Sequence, residues 1–259
     1  MNFSALEFSI LIPALLAGLL VTATHVPLGI QVLQRGIVFI DLAIAQIAGI
    51  GIMLADMFGW EPQGWAAQGV AMSAAVVGAI VLTWAEKNWP DVQEATIGVS
   101  FVLAASAAIL LLSGNPHGGE HLKDLLVGQI LWVNLNSLLP VLLVYALILA
   151  LWFGFRDRLG RAGFYVLFAC AVTISVQLVG VYLVFAGLII PALATRKYQS
   201  RRLIAAYATS VAGYALGLVL SSLFDLPSGA VIVWSMAFIA VAVYAARQQA
   251  NRTPAPATG

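Results

Sequence analysis

GFYVLFACAVTISVQLVGVYLVFAGLIIPALAT, residues 163–195, contains no Asp, Glu, Lys or Arg, yet Arg161 precedes it and Arg196 follows it. A membrane-spanning helix needs about 20 apolar residues, so two need about 40. Short loops rich in Lys and Arg stay on the cytoplasmic side. Arg156, Arg158 and Arg161 lie before the stretch, and Arg196, Lys197, Arg201 and Arg202 after it. The chain must therefore leave the cytoplasmic side and return to it within 33 residues, too many for one span and too few for two. A turn near Gly180 between two short, tilted helices reconciles charge with length, as does a re-entrant segment. Interrupted helices at membrane depth are tolerated where they are buried in protein or line a cavity, so working machinery is expected here.

The rest of the chain reads the same way. Of 259 residues, 62% are hydrophobic and 9% charged, against about 45–50% and about 25% in a soluble domain. The apolar runs are continuous rather than alternating, which selects helices over a β-barrel. Expected spans are 8–27, 37–58, 66–85, 96–114, 137–155, 163–179, 180–195, 203–223 and 229–246. The fold class is an all-α polytopic membrane protein of eight or nine transmembrane helices, with a broken or short helix pair around Gly180. Residues 1–250 read as one transmembrane domain, and 251–259, with two prolines, as a disordered tail. The first apolar stretch lacks a basic leader and reads as a retained span. Arg35, Lys87, the two arginine-rich clusters, Arg247 and Arg252 mark cytoplasmic loops and tail; 59–65, 115–136 and 224–228 face outward. Net charge is +1, which makes no electrostatic case for nucleic acid. The single cysteine, Cys170, lies in an apolar run and reads as a small buried hydrophobe.

Four blocks carry a family resemblance. VGVYLVFAGLIIPA (179–192) resembles the VGVLLVxALLIIPAA block of the ABC-transporter permeases for zinc, manganese or iron. LGIQVLQR (28–35) followed by Asp41, DLLVGQIL (124–131) and DLPSG (225–229) are similar to other segments of that family, in the same order and spacing. The resemblance covers nearly the whole chain. It implies a homodimeric permease in the bacterial inner membrane, a separate cytoplasmic ABC ATPase and an extracytoplasmic metal-binding protein. Divalent metal would be transported substrate, with no permanently bound cofactor.

Candidate site residues follow. Asp41 lies six residues past Arg35, within the second span. A carboxylate there costs about 2.5–3.5 kcal/mol on insertion scales and is expected to face a cavity or partner; a shallow position, snorkelling or capping the helix, is the alternative. In the family this position opens a DxxxH pair, whose members share one helix face. Here the fourth residue on is Ala45, and Gln46 follows. An amide oxygen suits a hard cation better than zinc; an interhelical hydrogen bond is the other reading of Gln46. In the outward loop, His117, Glu120 and His121 lie within five residues, a ligand set suited to zinc or a similar metal, or else an ordinary polar loop. His25, beside Pro27, reads as interfacial capping near the end of the first span. Pro191, Arg196, Lys197, Tyr198, Arg201 and Arg202 satisfy membrane topology alone. The resemblance adds a coupling role, a short cytoplasmic helix docked in the ATPase. Gly180, Gly187, Gly213 and Gly217 permit close helix approach, within a subunit or at a dimer seam, and Gln177 reads as interhelical glue or pathway lining.

No lysine follows a phosphate-cradling GxxxxG, and HExxH, GxSxG and CxxC do not occur. The chain is therefore expected not to be an enzyme, with ATP hydrolysis on another chain. A stand-alone secondary cation carrier or channel is the alternative function; it predicts charged relay pairs inside spans, and only Asp41 is of that sort. An intramembrane enzyme would need paired catalytic groups in the bilayer, and none is apparent.

Overall fold

The computed structural model describes residues 8–61, 64–112, 126, 128 and 130–252. At membrane depth a backbone finds no water to satisfy its N–H and C=O groups, so each apolar run closes its own helical ladder. Nine helices form among the described residues: α1 (Phe8–Arg35), α2 (Ile40–Met57), α3 (Trp65–Asn88), α4 (Gln93–Leu112), α5 (Leu135–Phe155), α6 (Arg158–Val179), α7 (Val181–Ala194), α8 (Arg202–Phe224) and α9 (Ser228–Arg252). Eight are long and apolar enough to cross a membrane; α7 is the exception.

Boundaries differ from expectation near both termini. α1 does not stop at Pro27 but continues to Arg35. A helix broken at that depth would leave several backbone groups bare, whereas a proline leaves only one carbonyl without its donor. His25 is therefore fully buried inside α1 rather than capping its end. At the other terminus α9 runs to Arg252, past the expected start of the tail at 251; residues 253–259 lie outside the described residues.

The 33-residue puzzle resolves unevenly. α6 starts at Arg158, so its charged first turn supplies the length that the uncharged run lacks. α5 and α6 form an antiparallel hairpin, with non-helical backbone at Phe155 and at Gly160, the latter at φ +59°. Across it, Tyr145 and Ser175 share a hydrogen bond and the Trp152 and Phe164 rings lie 5.6 Å apart. Only Gly180 separates α6 from α7. α7 has 14 residues, about 21 Å of helix against a hydrocarbon core of about 30 Å. Its C-terminal end meets the cytoplasmic cluster at Arg196, so its start at Gly180 is recessed below the outer surface. Gly180 has φ 81° and ψ 162°, a conformation open essentially to glycine. Gly128, at φ +71°, lies directly on this tip: a Cβ there would stand 2.2 Å from the Val179 carbonyl carbon. The blocks 124–131 and 179–192, remote in sequence, thus meet backbone to backbone.

Burial separates the centre from the periphery. The most apolar stretch of α6 is 67% buried and that of α2 61%, against 17% for α4 and 22% for α5. α1, α2, α6 and α7 therefore form the interior, and α4 and α5 present apolar side chains outward, as helices facing lipid or another subunit do. Gly213 and Gly217 face Met236 and Ile232 of α9 in the same chain, so this pair packs within the subunit. Asp225, in the left-handed region at φ 52°, closes α8, and Ser221 Oγ donates to the Leu226 carbonyl across the turn.

Candidate translocation site

The Gly36–Phe39 elbow turns the chain back from α1 into α2. Phe39, the residue before α2, stacks on Phe185 of α7 with ring centroids 6.2 Å apart. Phe185 precedes Ala194 by nine residues, about 13 Å of helix, so α2 begins well inside the bilayer. Asp41 is in its first turn and is 1% exposed. Its carboxylate lies near the first-turn N–H groups of Asp41 and Leu42, but neither oxygen makes a hydrogen bond of ordinary geometry. The N-cap residue is Phe39, with no side-chain cap. Asp41 is therefore buried rather than snorkelling, and its carboxylate sits against the first turn of α2 without taking the N-cap position. The helix N-terminus favours its negative charge, but the carboxylate oxygens keep unused acceptor capacity in a low-dielectric setting, an arrangement that attracts a cation.

Gln46 is also buried. Five residues on, it is displaced from Asp41 by about 140° and 7.5 Å along the helix. The two do not share a face as an i, i+4 pair would, and one turn on from Asp41 stand only Ile44 and Ala45. Among the described residues no group of three or more His, Cys, Asp or Glu side chains comes together. His117, Glu120 and His121 lie outside the described residues.

Gln177 behaves differently from Asp41. Its Oε1 accepts a hydrogen bond from Gln68 Nε2 of α3, joining α3 to α6 just below the Gly180 turn. Sequence reasoning missed Gln68; its only mark is to be a polar residue in the third apolar run. Also missed was a cytoplasmic cluster. There the Arg35 guanidinium lies 4.3 Å from the centre of the Phe164 ring, Gln93 donates to Tyr165 Oη at 2.7 Å, and Arg161 reaches Glu86 at 3.7 Å. It ties α1, α3, α4 and α6 together at one end.

The segment between α7 and α8 departs from expectation. Pro191 is buried within α7, and Thr195 Oγ1 donates to the Pro191 carbonyl to close that helix. Residues 195–201 then form a turn and bends rather than a short helix. Seven residues, most of them polar, with Arg201 at φ 57°, do not repay the nucleation of another helix. Arg196, Lys197 and Arg201 are exposed. Arg196 and Lys197 stack on the Tyr244 ring, and Arg247 on the Tyr198 ring, at 5.2–5.5 Å. Arg202 Nη2 donates to the Ala192 carbonyl at 3.2 Å. The result is a basic, aromatic-backed cytoplasmic surface built from α7, α8 and α9. Gly187 lies in α7 with the Tyr214 hydroxyl 4.0 Å from where its Cβ would be.

Comparison with known proteins agrees with this architecture. The chain is 23% identical to the high-affinity zinc uptake system membrane protein ZnuB of Haemophilus influenzae, over 90% of this chain and 96% of that one. It is 26% identical to the manganese transport system membrane protein MntC of Halalkalibacterium halodurans, over 88% and 84%. Its fold is similar to that of PsaBC from Streptococcus pneumoniae, solved in complex with Fab, with a TM-score of 0.74, 21% identity and 92% of each chain covered. The sequence profile described as the ABC 3 transport family matches residues 7–162 and 154–247. With nearly all of its length matched, this multi-pass membrane protein belongs to the ABC 3 transport family.

Proposed function

We propose that the chain is the permease subunit of an ATP-driven importer of a divalent metal ion, and that Asp41 meets the metal in transit. The carrying observation is the Asp41 carboxylate, buried inside the bilayer with neither oxygen hydrogen-bonded. Such a charge is retained where a mobile cation compensates it. The names of the relatives, an uptake system for zinc and a transport system for manganese, support the cargo class, and the first supports inward direction. A single buried carboxylate with a displaced amide suits passage better than storage, because conduction requires a site that also releases its ion. Family membership leaves no support for the stand-alone carrier.

The partners belong to the same proposal. A separate ABC ATPase docks on the exposed cations of 196–202, and an extracytoplasmic binding protein delivers metal to the mouth that carries His117, Glu120 and His121. Two copies of the chain enclose the path. The test is uptake of zinc, manganese and iron into vesicles that contain the permease with its ATPase, native against Asp41→Asn. Loss of ATP-dependent uptake in the variant is expected; unchanged uptake of all three metals would remove Asp41 from the path.

A further inference from the structure

Pro27 lies inside α1. In an α-helix the N–H of residue 27 would bond the carbonyl of residue 23, and proline has no N–H. The Ala23 carbonyl is thus without its ladder donor, at a depth where no bulk water replaces it. α8 supplies the missing donor: the Tyr207 hydroxyl gives a hydrogen bond to the Ala23 oxygen at 2.9 Å. One turn away, Thr22 and Ser210 hydroxyls lie 2.9 Å apart, and next along the same seam the Tyr214 ring stands against Gly18. Antiparallel α1 and α8 are thus fastened at the proline break. Within α1, Thr24 Oγ1 donates to the Val21 carbonyl at 3.1 Å, a side-chain bond one turn before the proline.

The position of this fastening matters. Tyr207 lies five residues, about 7.5 Å, beyond Arg202, where α8 leaves the basic cytoplasmic surface. Below Pro27, α1 packs on α7 so closely that a Cβ on Gly29 would stand 2.0 Å from the Leu188 oxygen. It then runs through the four-residue elbow into α2 and Asp41. A proline break allows the two halves of a helix to bend; a bridge across it decides what the lower half follows. We propose that the Tyr207 hydroxyl is a positioning group for transport: it closes the gap that Pro27 opens and makes the cytoplasmic end of α8 move as one body with the α1–α2 elbow that carries Asp41. This inference rests on the reading of 196–202 as the surface on which the ATPase acts.

The experiment is a double-mutant cycle in vesicles containing the permease with its ATPase, reading metal moved per ATP hydrolysed, alongside thermal unfolding of the purified assembly. Tyr207→Phe keeps the ring and removes the hydroxyl; Pro27→Ala restores the N–H that makes the hydroxyl redundant. In the native background Tyr207→Phe is expected to lower metal moved per ATP about fivefold or more, the lower range of a coupling between sites, and the melting temperature by about 2–4 °C. In the Pro27→Ala background the same substitution is expected to change neither. Equal losses in both backgrounds would overturn the pairing of hydroxyl with proline. A lower melting temperature with an unchanged transport ratio would reduce the hydroxyl to a structural bond and overturn the positioning role. If the native assembly moves no metal, the reading of the function fails and takes the positioning role with it, while the melting cycle still decides the pairing.

Discussion

Asp41 at the start of α2 and Gln177 near the end of α6 both place a polar group where hydrocarbon is expected, and the fold treats them in opposite ways. Gln177 Oε1 is met by Gln68 from α3, which leaves only its Nε2 without a partner. Asp41, which carries the greater penalty, has neither oxygen hydrogen-bonded. An amide that finds one partner across the seam is a fastening between helices. An unmatched acid is a cost that packing does not explain, and the difference separates a residue that holds the bundle together from one that acts on a passing ion.

The strongest test of that contrast is Asp41→Asn. Losing a desolvated charge–cation contact of about 3 kcal/mol lowers uptake about 100-fold, yet the melting temperature should hold or rise, because a buried acid whose oxygens have no hydrogen-bond partner has been removed. A fall in stability with uptake preserved would make Asp41 a fastening after all. Gly128→Ala comes next. It disturbs the Gly180 turn beside Gln177 by forcing a Cβ against the Val179 carbonyl at a positive φ, and should destabilise by about 3 kcal/mol; full stability in thermal unfolding would show that the two backbones can separate. Gln177→Leu should cost about 1–3 kcal/mol by stranding Gln68, with uptake per folded molecule nearly unchanged. Adding Gln68→Leu should recover most of that loss, to within about 1 kcal/mol of the native protein. Loss of transport by the doubly apolar variant with stability intact would move the amide pair from fastening to pathway.

Much of the fold was legible because membrane helices announce themselves one at a time. Each uncharged run near 20 residues forms a helix close to where it is expected, and the clash between Arg161 and Arg196 points to Gly180 from charge and length alone. What escaped was everything that depends on a second helix. Pro27 looks like a stop until Tyr207, 180 residues later, supplies the donor. His25 looks interfacial for the same reason. The proposed short helix between α7 and α8 fails because the segment is fastened from outside, through Arg202 to Ala192 and through cations resting on Tyr244. Asp41 was visible because an acid in a span is conspicuous by itself; its unbonded state was not, because that depends on which neighbours fail to offer a donor.

The one-residue turn at Gly180 also constrains how the protein is made. α7 is too short to hold a bilayer by itself and follows α6 without a loop that could emerge on the far side. The insertion machinery must therefore release α6 and α7 into lipid as a pair, with the cations from Arg196 onward anchoring the exit on the cytoplasmic side. A fragment carrying α7 alone should be extracted from membranes at alkaline pH, whereas one carrying α6 and α7 together should stay embedded. Biogenesis, as well as transport, would then turn on a glycine that no other residue replaces without strain.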